Sequence, residues 1–171
     1  MSGWRTTMLL LAVFAALLVY VLETGKPRSR APEAPSGALP PLLASAAAPA
    51  RLEISTARQR VIAAATPEGW RLTPEAGAAE EVDALLAALR SLRPLLTVDT
   101  SPQDPADYGL GAAADRLRLL DDGGTELLDL EIGARNPSWT GVYVRRQGSP
   151  EVFLVGGVLR WELSKVLGNA P

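Results

Sequence analysis

Three short stretches of this 171-residue chain carry residue types that could do chemistry. Gly109-Leu110-Gly111-Ala112-Ala113-Ala114 fits G-x-G-x-x-A, the glycine pattern that lets a backbone approach the pyrophosphate of a dinucleotide. That chemistry needs a buried strand before the glycines and a helix after them. Here residues 104–108 are polar and 116–119 alternate like a strand, so the stretch reads as a turn. Asp121, Asp122 and Glu126 offer oxygen ligands to a hard cation. Calcium loops alternate their ligands around a central glycine, which this segment does not, so Asp121-Asp122-Gly123-Gly124 reads as a hairpin turn. Ser164 beside Lys165 has the composition of a serine–lysine pair. Adjacent helix positions diverge by about 100° and cannot face each other, which removes it.

What is missing narrows the chemistry further. The chain has no histidine and no cysteine. Histidine is the most frequent general base, and zinc sites and thiol nucleophiles need one or both residue types. The expectation is therefore no catalytic residue, no metal site, no cofactor and no enzymatic activity. Two alternatives stay open. A hydrolase using carboxylates alone needs two acids about 5–10 Å apart in a cleft. A small-molecule or lipid binder needs a closed apolar pocket of about 300 Å³ or more between sheet and helix. Asp129 and Glu131 read as the solvated face of a strand.

The aromatic residues point to binding rather than catalysis. Trp139 lies in Asn136-Pro137-Ser138-Trp139-Thr140-Gly141, a loop composition. Arg145 and Arg146 follow in the same strand region and would complete a docking patch with it. Trp161 falls opposite Leu159, Leu163, Val166 and Leu167 if one helix holds them all, which would expose it as a partner anchor. If that helix begins after Trp161, the ring packs inward instead. Trp139, Arg145, Arg146 and Trp161 are the candidate partner-binding residues. Trp70 reads as a core residue beside a helix, and Tyr108 as a cap on a sheet edge.

The elements that would carry these residues follow from periodicity. Residues 51–54, 60–65 and 69–72 read as short strands, with Pro67-Glu68-Gly69 as a turn. Residues 78–92 form an amphipathic helix: Val82, Leu85, Leu86, Leu89 and Leu92 share one stripe, Glu80, Glu81 and Asp83 suit the positive end of its dipole, and Pro94 stops it. Period two returns at 115–120 and 125–132, then at 142–145 and 152–155, and a short helix closes the chain near 159–167. One-sided strands joined by short turns imply an α+β domain, a mostly antiparallel sheet packed against an amphipathic helix.

Upstream of this domain lies a different kind of sequence. Residues 4–22 number 19, carry Arg5 as their one charge, and run unbroken and apolar from Met8 to Leu22. At about 1.5 Å per residue that is close to the length needed to cross a hydrocarbon core of about 30 Å. No small-residue cleavage site follows closely, so the run reads as a retained transmembrane anchor over 1–22 rather than a signal peptide. Residues 23–49 hold six prolines among alanine, serine and glycine and read as a linker without a packed core. The α+β domain occupies 50–168. Its side of the membrane is argued two ways. Lys26, Arg28 and Arg30 flank the run and favour a cytoplasmic body. The short N-terminal flank and the alanine/proline tether favour an extracytoplasmic one, which is the reading adopted. The whole chain has a formal charge of −2, and from Arg51 onward 13 basic residues face 17 acidic ones. That balance argues against a nucleic-acid partner.

Taken in order, Gly69-Trp70, Pro74, Tyr108-Gly109-Leu110, Ile132-Gly133, Tyr143-Val144 and Val152 with Val155 resemble domain-of-unknown-function family 4340 over roughly residues 51–167. A proline usually follows the Gly-Leu in that family, and Gly111-Ala112-Ala113-Ala114 stands there instead. The resemblance implies a membrane-anchored accessory protein of a membrane assembly, such as an ABC-type transport system of the gliding-motility kind. It implies no catalytic residue.

Overall fold

The computed structural model describes residues 39–44, 48–74 and 77–169. The apolar run and the first part of the linker lie outside the described residues. Among the described residues no helix is long and apolar enough to cross a membrane. The chain runs β1 (Arg51–Ser55), β2 (Arg60–Thr66), β3 (Gly69–Thr73), α1 (Ala79–Ser91), β4 (Leu96–Asp99), β5 (Asp115–Leu120), β6 (Glu126–Arg135), β7 (Gly141–Arg146), β8 (Val152–Gly156) and α2 (Val158–Val166), with a 3-10 turn at Pro105–Tyr108. The fold is α+β, as the alternation predicts.

All pairings are antiparallel, and the strands lie in the order β3-β2-β1-β5-β6-β7-β8-β4. Two meanders, β1-β2-β3 and β5-β6-β7-β8, meet in the middle where β1 pairs with β5. β3 and β4 are consecutive strands at opposite edges, so the chain between them must cross the whole sheet. α1 makes that crossing and lays Val82, Leu85, Leu86 and Leu89 on the sheet as it goes. α2 packs beside α1 through Leu159, Leu163 and Val166, and Lys165 Nζ reaches Glu81 Oε2 of α1 at 3.1 Å. The sheet supplies Leu52 and Ile54, Leu117 and Leu119, Leu130 and Ile132, and Val142 and Val144 to the same core. Trp70 packs against it, and its indole Nε1 donates to Asp83 Oδ1 of α1 at 2.9 Å.

Two short helices do not cover eight strands, and part of the linker completes the layer. Leu42 and Leu43 are fully buried in the core. Leu42 N–H donates to Leu92 O and Leu43 N–H to Leu89 O, satisfying carbonyls that the end of α1 leaves without helical partners. Arg146 Nη2 adds bonds to Leu42 O at 2.8 Å and Pro41 O at 3.4 Å. The expectation of a linker without a packed core through residue 49 is corrected here. Proline content fixes backbone shape, but two adjacent leucines facing an open apolar groove bury themselves regardless. Nineteen residues, 23 through 41, lie in sequence between the apolar run and Leu42, a span of about 60 Å if fully extended.

The other sheet face is polar, and it is not simply solvated. Glu53 accepts from Arg51 Nε at 2.8 Å and Arg60 Nη2 at 3.0 Å. Asp129, opposite Arg118 in the ladder, is bonded by Arg116 through Nε and Nη2, and Arg118 Nε approaches it at 3.3 Å. Both carboxylates are buried beneath guanidinia, so Asp129 is no solvated strand residue as its alternation implies. Burial alone would raise the Glu53 pKa above its ordinary 4.5, but the hydrogen bonds and charges of Arg51 and Arg60 outweigh it and hold the group lower.

The half of this face over β6 to β8 is covered by residues 100–114. Tyr108 stands edge-on to Tyr143 of β7, ring centroids 5.1 Å apart, and its hydroxyl donates to Asp99 Oδ2 of edge strand β4 at 3.2 Å. Gly109 lies against Ala134, and Gly133 lies against Tyr108 O, where a Cβ at either position would collide. Gly111 N–H donates to Glu131 Oε2, and Leu110 and Val152 are buried outside the main core.

Two outcomes check these assignments. Leu43→Ala should lower unfolding stability in detergent solution by about 2–5 kcal/mol, as a buried leucine in a core does, while Leu95→Ala at an exposed site changes it by less than about 0.5 kcal/mol. Equal effects would contradict the strap. The lowered Glu53 pKa adds stability above pH 4.5 that is lost as the pH falls through the folded-state value. The gap in urea midpoint between wild type and Glu53→Gln should therefore narrow below pH 4.5, and a constant gap would refute the coupling.

Candidate functional site

The residues singled out for docking divide into two pairs. Arg145 and Arg146 are neighbours on β7 and so point to opposite faces of the sheet. Arg145 sits opposite Glu131 and donates to its Oε2 from Nη2 at 2.7 Å and Nε at 3.1 Å. Arg146 clamps the carbonyls of Pro41 and Leu42 on the helix face. Neither joins Trp139 in a patch. Both stand at the C-terminal end of β7 while Trp139 precedes its N-terminal end, and each is held by a structural partner.

Trp139 and Trp161, in contrast, stand at the same end of the sheet. The loop from β6 to β7 is built on Asn136, whose side chain is buried. Asn136 Nδ2 donates to Ser138 Oγ at 2.8 Å and Thr140 Oγ1 at 3.1 Å, and its Oδ1 accepts from Gly141 N–H at 3.0 Å. Its backbone closes the loop: Asn136 N–H donates to Gly141 O and Trp139 N–H to Asn136 O. This frame holds Trp139 at φ 61°, in the left-handed region, the one non-glycine residue so placed among the described residues. That conformation costs a side-chain-bearing residue about 1–2 kcal/mol. The indole gains no burial in return, being 73% exposed, with only the Arg135 guanidinium stacked over it at 5.4 Å.

The same loop is tied to α2. Gly157 N–H donates to Thr140 O at 3.2 Å, and α2 starts at the next residue. The helix therefore includes Trp161, and the alternative that it begins later and buries the ring does not hold. Val158 and Trp161 lie one turn apart, 46% and 49% exposed. Leu95 and Leu96, also exposed, are bonded to β8 around Leu154, near the same strand end. Among the described residues these five are the exposed large hydrophobic side chains, and all lie around the C-terminal end of β8. Val158 and Asn136 carry no pattern that would mark them in sequence. Only the run of Asn, Ser, Trp, Thr and Gly signals a turn with a side chain at its tip.

The remaining candidates are structural. Gly109 and Gly111 turn the chain over the polar sheet face, and no strand–helix phosphate cradle forms around them. Asp121 Oδ1 accepts Thr125 N–H at 2.7 Å and closes the β5–β6 hairpin. A cleft of about 360 Å³ opens beside edge strand β3, lined by Thr66, Glu68, Trp70 and Arg71. Another of about 240 Å³ lies between the β1–β2 turn and α2, with Arg58, Asp115 and Arg160 in its wall. Neither lies in the apolar interior between sheet and α1. Asp115 is paired with Arg160 at 3.4 Å, not with a second carboxylate.

The frame around Trp139 has a testable energetic signature. Trp139→Gly should keep unfolding stability within about 1 kcal/mol of wild type, since relief of the left-handed conformation offsets the lost stacking. Asn136→Ala should lower it by about 1–3 kcal/mol by orphaning the loop's polar groups. A larger loss for the tryptophan than for the asparagine would show that the indole serves the fold.

Comparison with known proteins adds one finding. The family model described as domain of unknown function (DUF4340) matches residues 70–166, more than half of the chain. No curated protein and no solved structure matches.

Proposed function

The chain belongs to the DUF4340 family, and on that premise we propose that it is a single-pass, membrane-tethered binding module without catalytic activity of its own. Residues 4–22 hold it to the bilayer, the linker sets its reach, and the domain docks a protein of a membrane assembly on the extracytoplasmic side. The family resemblance points to ABC-type transport systems as the kind of assembly. The observation that carries the docking reading is Trp139: a large aromatic side chain held in a disfavoured backbone conformation and left in solvent. A sequence selected for the fold alone gains nothing from that arrangement, while a partner pocket for the ring would. Trp161 and Val158 extend the same apolar end, and Arg135 adds a cation beside it. Aromatic and arginine side chains of this kind dominate the energetics of protein interfaces.

The test is crosslinking and pull-down from intact membranes, comparing wild type with Trp139→Ala and Trp161→Ala. A specific membrane protein should be enriched with the wild type, and each substitution should weaken its capture by roughly tenfold or more. The reading fails if nothing is enriched, or if capture is indifferent to both tryptophans.

A further inference from the structure

The polar sheet face divides into a covered and an open half. Over β6 to β8 it lies under residues 100–114, through Tyr108 on Tyr143 and Gly111 on Glu131. Among the described residues, the half formed by β3, β2, β1, β5 and the start of β6 carries no such cover. By register Arg51, Arg60, Arg71, Arg116 and Arg118 all project from it, against Glu53, Glu126 and Asp129. The numbers matter less than the depth. The side chains of Arg51, Arg60, Arg116 and Arg118 are 48, 61, 44 and 37% exposed, whereas those of Glu53 and Asp129 are 11 and 2% exposed. The carboxylates of Glu53 and Asp129 lie under the guanidinia they orient, and only Glu126, bonded by Arg118 at the rim, stands level with its partner, so over most of this half an approaching surface meets nitrogen first. Arg51 and Arg60 each use one nitrogen on Glu53, which leaves the rest of the planar fork for phosphate oxygens. A domain of mildly acidic composition thus presents a locally basic plane.

We propose that this guanidinium plane rests on the anionic headgroups of the bilayer that holds the N-terminal segment. The proposal depends on reading residues 4–22 as a membrane anchor. Two observations select a lipid surface. Lys26, Arg28 and Arg30, just past the apolar run, give the juxtamembrane flank the same sign. Nineteen residues lie in sequence between that run and Leu42, so the domain stays within about 60 Å of the surface. Docking through this face leaves the Trp139–Trp161 end available to a protein partner.

The absence of cysteine allows one fluorophore to be placed anywhere. Full-length chain carrying Ala64→Cys, exposed on the open face between Arg51 and Arg71, is reconstituted into vesicles containing a headgroup-quencher lipid. Ser91→Cys on α1 is the control. The Ala64 probe should be quenched in vesicles containing phosphatidylglycerol several-fold more than in phosphatidylcholine alone, the difference should vanish at high salt, and the Ser91 probe should not follow it. Arg60→Gln with Arg71→Gln should abolish the difference, and Arg60→Lys with Arg71→Lys should restore most of it at unchanged thermal stability. Equal quenching in both lipids, or at both probes, would overturn the proposal. An Ala64 probe unquenched in anionic vesicles but shielded in native membranes would also overturn it, in favour of an acidic protein. Failure of the chain to co-sediment with any vesicle would overturn the anchor itself, and is distinguishable from failure of the face.

Discussion

An eight-stranded antiparallel sheet made from about 50 strand residues has one apolar face, and that face must be removed from water. In this chain the strand order makes the task harder. β3 and β4 occupy opposite edges, so the single helix between them is committed to a crossing path, and α2 has room only beside it. The groove left uncovered is filled by Leu42 and Leu43, drawn from what composition marks as linker. The carbonyls at the end of α1, the guanidinium of Arg146 and the backbone of the strap then satisfy one another. Much else follows from this closure: Arg146 is unavailable for docking, the linker is shortened, and the polar face is left to be organised by charge.

On that polar face five of the positions that signal the family find a common role. Tyr108, Gly109 and Gly133 meet where residues 100–114 cross the sheet, Tyr143 lies under Tyr108, and Val152 is buried on the same side. They are spread over 45 residues of sequence but serve one close backbone crossing. At these positions the motif is a packing signature. Gly111-Ala112-Ala113-Ala114 comes just after the crossing and does not disturb it.

Most of the element pattern was legible because it rests on local alternation. Strands β1, β2, β3, β5, β7 and β8 and both helices lie within a residue or two of where periodicity puts them, and β6 runs three residues further than its alternation suggests. Three features were illegible, each for a physical reason. Burial of Leu42 and Leu43 depends on a groove that exists only once the sheet has closed. The opposite fates of Arg145 and Arg146 require knowing which residue of β7 pairs with Glu131. Burial of Asp129 depends on two arginines from a neighbouring strand folding over it, which alternation alone cannot show.

The strap also determines how the domain carries mechanical load. Any tension arriving along the chain from its N-terminal end meets Leu42 and Leu43 first, then passes into β1. That strand is the sheet's junction, paired along five positions with β2 on one side and five with β5 on the other. Pulled along its own axis, it resists in shear, with both ladders strained together, whereas an edge strand would peel one bond at a time. The domain is attached to its linker at the place where an antiparallel sheet is hardest to unravel.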